Sequence, residues 1–197
     1  MTVSVEKDLS LKVYLIVLFI IISGCTRYSA PENNLKFSNL DSAGQLEGIF
    51  KNEGDPRGYL SKYVFRDSKP KNITHYDIDL IQVIFSENTL FVNAIMTDCI
   101  IYAEKYVYGT DFDFVNGKIV INSDIDILTR GKGDPIVGPS YEEFVIGLDS
   151  KGHGKTKSSM TIAGLVYLVF PVVFRDVSES RFLRIEEYKK YELCGTS

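Results

Sequence analysis

Residues Asp111 to Asn122 read D-F-D-F-V-N-G-K-I-V-I-N, and this stretch decides the class of fold. Phe112 and Phe114 alternate with Asp111 and Asp113 before Asn116-Gly117, and Ile119 and Ile121 continue an alternation after it. Successive side chains of an extended chain project to opposite faces, so a period of two marks a strand with one face buried. A two-residue connection needs positive φ at both positions to match the twist of its strands, which selects Asn-Gly. The spacing predicts a β-hairpin with a type I′ turn.

The same signal recurs on either side. Thr74 to Ser86 reads as a strand, Glu87-Asn88 as a turn, and Thr89 to about Asp98 as the returning strand. Further strands are expected near Gln45 to Lys51, Ile100 to Tyr108, Glu142 to Asp149 and Thr161 to Phe170. Tyr59 to Phe65 follows a Gly-Asp-Pro-Arg-Gly loop and fits two helical turns, and Arg181 to Leu193 fits either period. Gly131 to Pro139 and the Gly- and Lys-rich Ser150 to Lys157 read as loops. The expected fold is mostly β: a single antiparallel β-sandwich or barrel-like domain over residues 35–197, with one or two short helices.

Composition agrees with a packed domain. The chain has 197 residues, 45% hydrophobic and 24% charged, with 12 Tyr and 12 Phe, which excludes disordered and low-complexity classes. The formal charge is −4, so there is no basic footprint and no nucleic-acid partner is expected. The most apolar part of this region, Ile162 to Phe174, is too short to span a bilayer. It reads as a central strand buried on both faces, the alternatives being a cavity wall or a membrane-dipping segment.

The N-terminus has a different character. Val13 to Ile22 is an unbroken apolar run of ten residues, about half the length a transmembrane helix needs but within the range of a secretory signal. Lys7 and Lys12 supply positive charge ahead of it, diluted by Glu6 and Asp8. The run ends at Ile22-Ser23-Gly24-Cys25, which resembles the bacterial lipobox: an aliphatic residue, two small ones, and a cysteine. That resemblance implies a lipoprotein signal peptide over residues 1–24, cleavage before Cys25, and diacylglyceryl attachment to the Cys25 thiol. Small residues at 23 and 24 leave the backbone accessible to a peptidase. Two or more acyl chains give stable membrane anchoring where one does not. Thr26 in place of Asp implies, by similarity to enteric lipoproteins, export to the outer membrane facing the periplasm. Residues 25–34 are then the lipidated cysteine and a short polar tether.

With Cys25 lipidated, Cys99 and Cys194 remain, and export places both in an oxidising compartment. Either they form a disulfide that ties the C-terminus to a central strand, or Cys99 is a small core residue and Cys194 a tail residue. Gly154-Lys155-Thr156 is not a phosphate loop, because Asp149 stands where the Walker pattern needs glycine. His75-x-Asp77-x-Asp79 and Asn122-x-Asp124-x-Asp126 would each project from one strand face, as any solvated face does. Asp111-x-Asp113-x-x-Asn116-Gly117 is one residue out of register with a calcium loop and lacks the final Glu. No metal or cofactor is expected.

His75 and His153 are the only histidines, and no G-x-S-x-G, H-E-x-x-H or C-x-x-C occurs, so no catalytic residue is assigned and the chain does not read as an enzyme. The paired carboxylates Glu142-Glu143 and Glu186-Glu187 are adjacent and would point to opposite faces of a strand.

Leu46-Glu47-Gly48-Ile49-Phe50-Lys51-Asn52 resembles the L-x-G-x-[YF]-x-N segment of small uncharacterised proteobacterial lipoproteins. The aromatic stretch Leu60 to Phe65, Gly164-Leu165 running into Pro171, and Arg181-Phe182 are similar to later features of that group. That group has no established activity to carry over; the expected role is a non-catalytic envelope interaction or structural function, with any protein partner in the envelope unidentified. Gly48-Ile49-Phe50 also resembles the G-x-W of bacterial lipocalins, with Phe in place of Trp; that family implies a barrel binding an apolar small molecule.

Overall fold

The computed structural model describes residues 25–65, 72–121, 126–129, 136–166, 170–186 and 191–194. Residues 1–24, for which a signal peptide is expected, lie outside them. The described chain is mostly β, in two large sheets and a small two-stranded one. The strands are β1 (Cys25–Ser29), β2 (Gly48–Lys51), β3 (Glu53–Gly54), β4 (Gly58–Tyr59), β5 (Leu80–Ser86), β6 (Thr89–Met96), β7 (Cys99–Val107) and β8 (Phe112–Val115), followed by β9 (Lys118–Ile121), β10 (Asp126–Thr129), β11 (Ile136–Leu148), β12 (Gly154–Val166), β13 (Phe170–Phe182), β14 (Arg184–Ile185) and β15 (Glu192–Leu193). One α-helix, α1 (Leu60–Val64), falls within the expected segment, and a 3-10 turn covers Ala43–Leu46.

The Asn-Gly hairpin forms as read. Val115 pairs with Lys118 across Asn116 (φ 51°) and Gly117 (φ 72°). Glu87 (φ 46°) and Asn88 (φ 65°) close β5 onto β6 in the same way. A third such turn, at Thr97-Asp98, splits the stretch from Thr89 to Tyr108. Positive φ is costly for β-branched Thr97, and its N–H is held by the Asp79 carboxylate at 3.0 Å. The strand expected from Thr74 begins only at Leu80, because Asp77 accepts the Thr74 N–H and hydroxyl and folds Thr74 to Asp77 into a turn.

One sheet runs β14-β2-β5-β6-β7-β15, antiparallel except for the parallel β7/β15 pair. The other runs β1-β13-β12-β11-β9-β8, with β10 also paired to β11. The described residues fall into two compact units. Among the described residues the larger comprises 29–65, 72–121, 143–158, 178–186 and 191–194; the smaller comprises 25–28, 126–129, 136–142, 159–166 and 170–177. The 13-residue strands β11, β12 and β13 each contribute residues to both.

The larger unit holds the core. Phe50, Ile81, Val83, Leu90, Val92 and Ala94 of one sheet pack with Phe112, Ile119, Phe144, Ile146 and Phe182 of the other, in the manner of a sandwich. Leu60, Val64 and Phe65 close one side of this core; the Tyr63 ring stacks on Phe144 at 4.9 Å, and Phe65 meets Tyr102 edge-on at 5.2 Å. A fully buried phenylalanine such as Phe65 is worth about 3–5 kcal/mol against alanine. Arg181 to Leu193, which fitted either period, is extended wherever it is described.

Three stretches differ here from the sequence reading. Thr26 to Asn34, read as a tether, begins as strand β1 beside β13, since Thr26, Arg27 and Tyr28 pair as readily as they would solvate. Ile162 to Phe174 is not one strand buried on both faces. It is the end of β12 and the start of β13, and Ala163, Leu165, Pro171 and Val173 are exposed. An apolar run shows no period by which one long strand could be told from two neighbouring ones. Gly138 and Pro139, read as loop, are strand residues of β11.

Candidate functional site

The larger unit carries a buried ionic network that pattern reading does not mark. Asp149 directly follows β11, with only 1% of its surface exposed. Its carboxylate accepts the backbone N–H of Lys151 at 2.8 Å and of His153 at 3.0 Å, and the Arg181 Nε at 2.6 Å. Burial pushes the Asp149 carboxyl up, but these donors outweigh it and hold the group below its usual range. Lys155, two residues into the turn's exit strand, is also buried; its Nζ pairs with Glu179 Oε2 at 2.8 Å and donates to Asn34 Oδ1 at 2.5 Å and to the Leu35 carbonyl. Burial raises Glu179 as well, and the bonds from Lys155 and Asn34 more than reverse it.

This network straps Asn34 to Ser38 onto the sheet. The Ser38 hydroxyl donates to the Asp149 carbonyl at 2.7 Å, and the Phe37 ring lies 5.0 Å from the ammonium groups of both Lys118 and Lys155. Gly154-Lys155-Thr156 is therefore the start of β12, with its lysine turned into an ion pair, and not a loop.

Beside it lies an open groove of about 730 Å³, lined by Glu47, Ile49, Gln82, Lys151, His153 and Arg184, among others. The Arg184 backbone N–H donates to His153 Nδ1 at 3.2 Å, so the neutral imidazole keeps its proton on Nε2. Arg184 lays its guanidinium over the Phe50 ring at 5.7 Å and donates through Nη2 to the Glu47 carbonyl.

These contacts explain the L-x-G-x-F-x-N segment in physical terms. Leu46 and Phe50 are core residues, and a Cβ at Gly48 would stand 2.6 Å from Arg184 Nε. Asn52, buried, donates to the His75 and Ile78 carbonyls and accepts the Ser61 N–H at 2.8 Å, joining β2 to the first turn of α1. All four residues are accounted for by packing and hydrogen bonding.

The remaining sequence candidates fall as follows. Cys99 and Cys194 are joined, with Cα atoms 5.3 Å apart, tying β15 to β7. Cys25 is the first residue of β1. His75, Asp77 and Asp79 lie on a turn, not on a strand face: His75 Nδ1 is 2.9 Å from Ser61 Oγ, and the two aspartates accept backbone N–H groups. Ser61 has no exposed surface, so no substrate carbonyl reaches that pair. Asp111 accepts the Val107 N–H in place of a cation. Asn122 and Asp124 lie outside the described residues, and among the described residues no three metal-ligating side chains converge. Glu142 and Glu143 sit on β11, as adjacent strand residues with opposite orientations.

Among the described residues, the space bounded by Phe50, Val83, Val92, Ile146 and Phe182 is about 20 Å³. That holds one water and no fatty acid. The described residues thus define a β protein of two units with a closely packed core, a buried ionic strap and an open groove beside it. No protein-family model, curated protein or solved structure matches this chain.

Proposed function

We propose that this chain is a lipid-anchored lipoprotein of the bacterial envelope, with residues 1–24 as its signal peptide and Cys25 as the lipid-bearing first residue of the mature protein. The observation that carries the reading is Ile22-Ser23-Gly24-Cys25 at the end of a ten-residue apolar run. Its task is non-catalytic: a tethered structural or protein-interaction module at the outer membrane, facing the periplasm. The Cys99–Cys194 pair supports an oxidising compartment, and the filled core favours this role over a lipocalin-like carrier, which needs an apolar lumen. The open groove with Lys151, His153 and Arg184 is the surface on which a partner's polar groups would be met.

Substituting Cys25→Ser tests the reading by cell fractionation. The variant is expected as a soluble or unprocessed protein; a variant that still fractionates as a processed outer-membrane protein would contradict the lipid attachment.

A further inference from the structure

The smaller unit joins two features that the anchor alone does not require. Among its described strand residues, 136–141, 159–166 and 170–174 contain no Asp, Glu, Lys or Arg, in a chain of which 24% is charged. Alternate residues of these segments are nonetheless at the surface. Leu165 is 39% exposed, Val173 48% and Tyr141 51%, and Ala163, Pro139 and Pro171 are exposed as well. Soluble surfaces rarely gather so many apolar groups without a partner.

The position of Cys25 identifies that partner. Cys25 opens β1, and β1 is the neighbour of β13, the strand that carries Pro171 and Val173. No tether separates the residue bearing the acyl chains from this sheet. Arg27 on β1 and Arg175 on β13 are exposed beside the apolar residues, which is the pattern of side chains that meet lipid phosphates while their neighbours enter the acyl boundary.

We propose that the charge-free strand segments of the smaller unit, with Leu165, Val173 and Tyr141 outermost, seat directly in the lipid bilayer that holds the anchor. The inference rests on the lipoprotein reading for the choice of bilayer as occupant. It makes the mature protein a surface-embedded unit and not a domain on a flexible leash.

The chain contains no tryptophan, so single-tryptophan reporters are clean. Leu165→Trp and Val173→Trp occupy exposed strand positions where an indole is well tolerated. Val107→Trp, on β7 of the larger unit, where Val107 is 42% exposed, is the control. Each full-length variant is expressed, purified from membranes and reconstituted in vesicles of phosphatidylethanolamine and phosphatidylglycerol, with and without brominated acyl chains. Bromolipid is expected to remove about half of the emission from the reporters at 165 and 173, with a blue shift, and to leave that at 107 within about a tenth, as shallow interfacial burial implies.

The mass of the Cys25-bearing peptide, read on the same samples, separates the two claims. Unquenched reporters on a chain whose Cys25 carries lipid would overturn the seated sheet and leave the anchor standing. Quenched reporters on a chain with an unmodified Cys25 thiol would uphold the lipid-binding sheet and overturn the lipoprotein reading. Unquenched reporters with an unmodified thiol would overturn both. Equal quenching at 107 would overturn the assignment of the contact to the smaller unit.

Discussion

Asp149 is the residue whose replacement tests the physical account of the larger unit most sharply. Its carboxylate accepts three hydrogen bonds, at 2.8, 3.0 and 2.6 Å, and is almost wholly buried. Hydrogen bonds to a charged group contribute about 1.5–3 kcal/mol each, so Asp149→Ala forfeits a gross sum well above any realistic net cost. The Arg181 side chain keeps 21% exposure and Lys151 is exposed, so both regain water, and about 3–4 kcal/mol is the expected loss. Asp149→Asn keeps Oδ1 for the two backbone N–H groups but turns its NH2 toward the Arg181 Nε–H, so the charge and that one hydrogen bond are lost, at a cost of about 1.5–3 kcal/mol.

The two variants also differ from wild type in their pH dependence. A carboxyl held below its unfolded value contributes stability that is present above that value, about 3.9 for Asp, and lost as pH falls through the folded one. Urea midpoints followed by far-UV circular dichroism at pH 7 and at about pH 3 read this directly. The gap between wild type and Asp149→Asn should narrow on acidification. A gap independent of pH, or an Asn variant as damaged as the Ala variant, would refute the reasoning.

Three further outcomes follow from the same contacts. Cys99→Ser with Cys194→Ser should lower stability by about 2–5 kcal/mol and reduce amide protection along β15, measured by thermal melts and hydrogen exchange; wild type in reductant should match the variant. Lys155→Met strands Glu179 and should cost about 3–5 kcal/mol in urea, whereas Lys155→Met with Glu179→Leu should recover much of that loss; a purely additive cycle would show that the pair is not coupled. Gly117→Ala should cost about 1–3 kcal/mol, because the site needs positive φ and its Cβ would stand 2.5 Å from the Leu40 nitrogen; an unchanged denaturation midpoint would contradict the hairpin geometry.

The hairpins were legible because their signal is local: Asn116-Gly117 and Glu87-Asn88 each carry turn and register within a few residues. Thr97-Asp98 was not, since it sets a β-branched residue at positive φ and its N–H is met by Asp79, 18 residues away. Ile162 to Phe174 misled for a related reason. An unbroken apolar run offers neither a period nor a turn marker, so its break into two strands and its exposure depend on neighbours that sequence does not name.

The ionic network was the least legible part of the candidate site. Asp149 and Arg181 are 32 residues apart, and Lys155 and Asn34 are 121 apart. In a strand pattern each reads as one more polar residue. The one available signal is Asp149 directly after Phe144-Val145-Ile146-Gly147-Leu148, where a lone carboxylate closing an apolar strand asks for donors. By contrast, the L-x-G-x-F-x-N segment was visible as a motif, and its meaning as packing came only from seeing Arg184 over Phe50 and Asn52 against Ser61.

The account stands or falls on Cys25. Intact and peptide mass spectrometry of the protein extracted from bacterial membranes gives the answer in one experiment. The account predicts a mature chain that begins at Cys25, lacks residues 1–24 and carries diacylglycerol on the thiol. A chain that retains Met1, or a Cys25 that reacts freely with a thiol reagent in the membrane-extracted protein, would contradict it.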